Sequence, residues 1–181
     1  MEFKRSSKDV DFLDDDFDEE EEDTLEDMYL VFKCMNKDYG IEIRYVTEIV
    51  ALQSITEVPD LPPYIKGIIN LRGRVFPVMD VRLRFNLPSE EYNERTCFVI
   101  ASYDNYTVGL IVDAVSEVLK IPAAEVEPPP NIGDAYHNRY VHGIGKVGNT
   151  VKILLSLHNL IYNEDMKKVD SVIKEVVKEQ V

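Results

Sequence analysis

The feature that most limits what this chain can fold into is an internal repeat. GIEIRYVTEIV (Gly40 to Val50) matches GLIVDAVSEVL (Gly109 to Leu119) position by position: a glycine, a short apolar strand, then V-[ST]-E-[IV]. Further on, YIKGIINLRGRVFPVMDVRLRF (Tyr64 to Phe85) aligns with YVHGIGKVGNTVKILLSLHNLI (Tyr140 to Ile161), keeping a tyrosine, a glycine and the spacing of apolar positions. Each copy opens on an alternating strand, YLVFKC or CFVIAS, ahead of the shared glycine. The loops between the matched blocks, VPDLPP (58–63) and EPPPNIGD (127–134), carry prolines, which lack the N–H that a central strand needs. One unit therefore occurs twice, reading strand, hairpin, strand, loop, hairpin. Short strands separated by turn signals point to small β-barrels and away from a helical bundle or a parallel sheet.

Two stretches carry a helical period. Ile43, Val46, Ile49 and Val50 also suit a helical turn, so either a brief helix or a bend follows the second strand. Met166, Val169, Ile173, Val176 and Val177 predict an amphipathic helix over 164–181 that caps a barrel.

The formal charge of −14 is unevenly spread: residues 1–27 hold 14 of the 34 acids and 3 of the 20 bases, leaving 20 acids against 17 bases in the rest. A block of like charges with few apolar residues repels itself, so residues 1–27 read as a disordered acidic tail. Its functional alternative is a binding arm or nucleic-acid mimic anchored by Phe12, Leu13 and Phe17. The near-neutral body offers no phosphate footprint, which argues against nucleic acid as a partner. The first 27 residues lack an apolar core segment, and no apolar run approaches the roughly 20 residues of a spanning helix, so a cytoplasmic protein without membrane insertion is expected.

Catalytic chemistry has few candidates. His137, His142 and His158 share no metal-binding spacing; Ser54, Ser102, Ser116 and Ser156 lack a nucleophile elbow; no phosphate-cradling glycine motif is present, and Gly143 with Gly145 is too little. Cys34 and Cys97, 63 residues apart in apolar strand-like segments, read as buried, inert thiols. No catalytic residue, cofactor or metal is expected.

One block is richer. NLRGRVFPVMD (Asn70 to Asp80) places an Arg-Gly-Arg step between two apolar runs, and Gly73 there suits a turn with positive φ. The cluster Arg72, Arg74, Arg82 and Arg84 reads first as the solvated face of a hairpin, ahead of a phosphate site; a third reading is a protein-binding patch, in which an arginine fork bonds carboxylates. Where the first copy has NLRGRVFPV the second has KVGNTVKIL, so the hairpin is kept and the arginines and proline are not. The first hairpin carries something extra, and Arg72 is the preferred bearer.

Taken together, YGIEIRYVTEIV, YIKGIINLRGRVFPVMDVRLRF, VGLIVDAVSEVL and HGIGKVGNTVKILLSLHNLI closely resemble the bacterial chemotaxis coupling-protein family, CheW, over about residues 28–161. The resemblance implies a mainly β fold of two intertwined five-stranded SH3-like barrel lobes, spanning 28–163, with a C-terminal helix over 164–181. It implies no enzymatic activity but an adaptor that docks the regulatory domain of the histidine kinase CheA to the cytoplasmic tips of chemoreceptors. Carried over residue by residue, receptor contacts fall on Val46, Glu48, Ile49, Arg72, Gly109 and Val118, and kinase contacts on Gly67, Arg72 and Glu48. Recruitment to membrane-associated receptor arrays is part of the same expectation. The rival reading is a small-molecule-binding protein using the cleft between the lobes, with Glu48, Glu117 and Asp113 as its titratable groups.

Overall fold

A computed structural model describes residues 24–130 and 139–179. The acidic stretch up to residue 23 and His137 lie outside the described residues. Eleven strands are described: β1 (Met28–Cys34), β2 (Lys37–Glu42), β3 (Val46–Ala51), β4 (Ile65–Leu71), β5 (Arg74–Asp80), β6 (Cys97–Tyr103), β7 (Tyr106–Val112), β8 (Ala114–Lys120), β9 (Val126–Glu127), β10 (Val141–Val147) and β11 (Thr150–Leu155). Among the described residues the α-helices of four residues or more are α1 (Val81–Arg84), α2 (Leu157–Ile161) and α3 (Glu164–Glu179).

The strands form two sheets, ordered β8-β1-β2-β11-β10-β9 and β3-β6-β7-β5-β4. The sixth strand of the first sheet is the two-residue β9. Neither sheet belongs to one copy of the repeat. The β1–β2 hairpin of the first copy lies in the sheet of β8 to β11, and the β6–β7 hairpin of the second lies in the sheet of β3 to β5. The exchange is reciprocal: β5 meets β7 in parallel at Val78 and Gly109, and β11 meets β2 in parallel at Leu154 and Gly40. All other strand pairs are antiparallel.

The two copies agree in fine detail. Single-residue bulges interrupt β3 at Thr47 and β8 at Ser116, and β4 at Lys66 and β10 at His142. Asp80 and Ser156 hold equivalent positions; each backbone N–H donates to the carbonyl of the equivalent tyrosine, Tyr64 or Tyr140, at 2.8 Å. Each side chain also caps the helix that follows, accepting from Leu83 N–H (3.3 Å) or Asn159 N–H (3.2 Å).

The swap has a packing consequence. One large cluster joins Leu30, Phe32 and Ile41 of one sheet to Met79, Val99 and Leu110 of the other. The lobes thus share a core, while Ile69, Phe76, Val78, Phe98, Ile100 and Ile111 fill the five-stranded lobe on its own. Burying an apolar side chain contributes about 1.5–3 kcal/mol, so a shared core opposes hinging between lobes. After β2 the chain makes a single 3-10 turn at Ile43–Tyr45 and then enters β3, where burial alternates. Helix α3 buries Met166, Val169 and Ile173 and lies against β5; Val176 packs at its edge and Val177 is exposed.

An ion cluster in which Lys152 is buried, Asp38 half-buried and Lys33 exposed ties β11 to the β1–β2 hairpin. Lys152 Nζ donates to Asp38 Oδ2 at 2.6 Å and Lys33 Nζ to Oδ1 at 2.9 Å. These bonds hold the Asp38 carboxyl below its ordinary 3.8. A depressed folded-state pKa means the stabilisation is complete above the unfolded value and is lost as pH falls through the folded one. Asp38→Asn is therefore expected to lower stability at neutral pH and to flatten the acid limb below about pH 4, as urea melts across that range would record.

Candidate protein-docking site

The Arg-Gly step is a two-residue hairpin turn in which both central residues have positive φ, Arg72 at 52° and Gly73 at 84°. This geometry matches the twist of the flanking strands and normally selects Asn-Gly. Asn70 supports it from one place earlier, its Oδ1 accepting from Gly73 N–H at 2.9 Å. A left-handed arginine is disfavoured by contact of its Cβ with the following carbonyl, so the position carries strain that a glycine would not. In the second copy the turn begins with Gly148 at φ 58°.

The Arg72 side chain reaches across to β3 and forms a hydrogen-bonded ion pair with Glu48. β3 and β4 are the two edges of the five-stranded sheet, so this pair bridges its open seam. Glu48 is half-buried while the guanidinium stays in solvent. The bond to Glu48 raises the Arg72 pKa further, keeping the charge fixed. The bulge at Thr47 sets up this arrangement. Val46 before it packs on the shared core, Val50 after it packs on the lobe's own cluster, and Ile49 between Glu48 and Val50 is left 45% exposed.

The residues singled out in the sequence thus separate into groups. Glu48 and Arg72 are joined by their ion pair on the β3 edge, where Ile49, the next residue, is exposed and Val46 is half-buried. Val118 is 46% exposed on β8, the edge of the other sheet. Gly67 and Gly109 are buried and have no side chain to offer. A Cβ on Gly109 would lie 2.9 Å from Val78 Cγ1, and one on Gly67 would run into the Thr56 carbonyl, so both positions act through close packing.

Of the other arginines of the cluster, Arg74 is exposed, as a solvated hairpin face requires, whereas Arg82 and Arg84 are not part of that face. Arg82 is 8% exposed; its Nε donates to Asp113 Oδ1 at 2.8 Å, a second nitrogen pairs with Oδ2, and Glu90 lies 3.2 Å away. The bond to Asp113 holds its guanidinium firmly charged. Asp113 also accepts from Met35 N–H at 3.0 Å, and so joins α1, the β1–β2 turn and the β7–β8 crossover. Arg84 sits between Tyr64 and Tyr140, its Cζ 4.2 and 4.7 Å from the ring centroids. The sequence signal for this was present in the repeated tyrosine, but not its pairing with an arginine found in one copy alone.

The polar cleft near Asp113 is lined by Asp80, Arg82, Glu90, Tyr92 and Arg95, largely bonded to one another. Glu48 and Glu117 are not part of it. Cys34 is buried, which pushes its thiol up to about 12, and Cys97 is half-buried. His142 and His158 line one surface cleft with Glu42, yet among the described residues no three His, Cys, Asp or Glu side chains are placed to share a metal ion. No described helix is long and apolar enough to cross a membrane.

The arrangement offers exposed apolar and charged side chains on sheet edges, which suits docking to a protein. Residues 28–165 match the profile of the CheW-like domain. The chain belongs to this family. Across 152 residues it is 34% identical to the chemotaxis protein CheW of Klebsiella aerogenes, covering 84% of this chain and 92% of that protein. It is 30% identical to the CheW of Treponema pallidum over 145 residues, 77% of this chain and 84% of that one. The crystal structure of a CheW scaffolding protein from Thermoanaerobacter tengcongensis superposes with a TM-score of 0.70 at 35% identity, covering 77% of this chain and 94% of that one. The CheW-like fold of two SH3-like lobes is therefore the fold of this chain, and the family is one of chemotaxis scaffold proteins.

Proposed function

We propose that this CheW-like chain is a non-enzymatic scaffold that couples the histidine kinase CheA, through its regulatory domain, to the cytoplasmic tips of chemoreceptors in membrane-associated signalling arrays. In this reading 28–163 is the docking domain, α3 is its C-terminal support, and the protein works in the cytoplasm without entering the membrane. The observation that carries it is the patch on the β3 edge, where Arg72 is held in a left-handed turn and bonded to Glu48 beside exposed Ile49. Strain at an exposed turn is worth retaining where the side chain has work to do. Val46, Glu48, Ile49 and Arg72, with Val118 on the other edge, then face the receptor's helical hairpin. The kinase domain meets Arg72, Glu48 and the β4 side that Gly67 shapes, and Gly109 keeps β7 close to β5 beneath the patch.

Arg72→Ala separates a docking role from a folding role. The thermal midpoint is expected to stay close to wild type, because Arg72 is exposed and its ion pair is screened by solvent. Binding of the receptor tip and of the kinase regulatory domain, measured at low salt, is expected to fall. A variant that melts early with unchanged affinity would assign Arg72 to the turn alone.

A further inference from the structure

Five aromatic side chains outside the Arg72–Glu48 pair form a continuous row. Tyr45 ends the 3-10 turn after β2, Tyr103 and Tyr106 are paired across the β6–β7 hairpin, His158 lies in α2 and Tyr162 closes that helix. Their rings run from Tyr45 to Tyr103, His158, Tyr162 and Tyr106 in centroid steps of 5.2, 5.2, 5.2 and 5.9 Å. Tyr45, Tyr103 and Tyr106 are half-buried, His158 is exposed and Tyr162 is 46% exposed. None of the five is among the residues proposed to meet the receptor or the kinase, so the row is free of that docking role.

The row joins two clefts. At one end Tyr45, Tyr103 and His158 line a cleft of about 150 Å³ with Glu42 and His142. At the other end Tyr106 lines one of about 170 Å³ with Arg74, Phe76, Pro77, Met166 and Ile173. The cations along the row are already neutralised: Arg44, over the Tyr45 ring, pairs with Glu42, and Lys167, over the Tyr162 ring, pairs with Glu164. Arg74 is exposed and has no carboxylate partner among the described residues. The hydroxyls of Tyr45, Tyr103, Tyr106 and Tyr162 make no hydrogen bond among them either.

We propose that this row of rings binds a proline-rich segment in the polyproline II conformation, an acidic residue at one end of the segment meeting Arg74. Such a segment has no internal hydrogen bonds, so its carbonyls can accept from the tyrosine hydroxyls while its pyrrolidine rings lie against the aromatic ones. A helix suits these donors poorly, because its carbonyls are spent on its own backbone. An added strand suits them poorly too, since the rings stand on a turn, a hairpin end and a helix and not along an open sheet edge. A row of paired cations with one free guanidinium at its end complements a mostly uncharged segment with one acidic end. At about 3.1 Å per residue, roughly nine residues are long enough to follow all the ring steps.

The test is fluorescence anisotropy of the full chain with a dye-labelled oligoproline of that length ending in two glutamates. Saturable binding is expected. Tyr162→Ala is expected to weaken it about fivefold, and Tyr162→Phe, which keeps the ring and loses the hydroxyl, about twofold. Arg74→Gln is expected to remove the preference for this peptide over one ending in two glutamines and to flatten the salt dependence. Melting curves verify that each variant is folded. No saturable binding by the wild type, or equal affinity of wild type and Tyr162→Ala, overturns the assignment. Equally tight binding of the same peptide with alanine in place of proline, which favours a helix, overturns it as well.

Discussion

Gly67→Ala is expected to cost about 3 kcal/mol or more, enough to threaten folding of a domain with ordinary stability. Two causes act together. The backbone at Gly67 has φ 148°, a conformation L-residues rarely adopt, and the added methyl would run into the Thr56 carbonyl oxygen while lying 2.8 Å from Ile55 Cγ2. The first of these obstacles is backbone, pinned by reciprocal hydrogen bonds of 2.9 Å between Thr56 and Ile68, so it cannot swing aside as a side chain can. Gly143→Ala is expected to cost less, because a Cβ there would lie 2.7 Å from a valine methyl and 2.9 Å from the Glu127 carbonyl oxygen, a milder backbone clash than at Gly67, and its φ lies outside the positive range. Urea unfolding of the two variants checks the order. Loss of kinase binding in a Gly67 variant would then follow from displacement of the 55–56 segment, whereas a stable Gly67→Ala protein would contradict the packing described for β4.

The second large effect is expected at Asp113. Asp113→Ala leaves Arg82, only 8% exposed, without its main counter-charge and takes the acceptor from Met35 N–H. Removing one partner of a fully buried pair costs about 3–5 kcal/mol; with 31% of the Asp113 side chain in solvent, about 2 kcal/mol is expected. Adding Arg82→Met to that background should recover part of the loss, since an apolar chain does not need the missing charge. A double-mutant cycle by urea melting measures the coupling. A coupling near zero would mean that solvent had satisfied Arg82 all along.

Much of this was legible in the sequence, for reasons that particular residues make clear. Gly40 and Gly109, and Tyr64 and Tyr140, revealed the repeat because each marks a close approach or a packed ring that both copies need. The period of Met166, Val169 and Ile173 revealed α3 because one face of it is buried. The exchange of hairpins between copies was not legible: Val78 beside Gly109 and Leu154 beside Gly40 are parallel contacts between distant segments, and no local pattern encodes which copy supplies the partner.

The site divided in the same way. Arg72 stood out because the second copy lacks it. Its bond to Glu48 across the seam, the burial of Arg82 and the seat of Arg84 between two tyrosine rings depend on which edges meet. A cluster of four arginines about a hairpin reads as a solvated face, which Arg72 and Arg74 present and the other two do not. The positions of Arg82 and Arg84 follow from Asp113 and from the two tyrosines that receive them.

As the proposed scaffold, this CheW-like chain joins two partners at once. The most direct measurement is titration calorimetry of the full chain into the kinase regulatory domain, alone and with the receptor-tip hairpin already bound. Saturable binding in both titrations is the predicted result. Absence of binding to the kinase domain by the folded chain, or complete exclusion of one partner by the other, would contradict it.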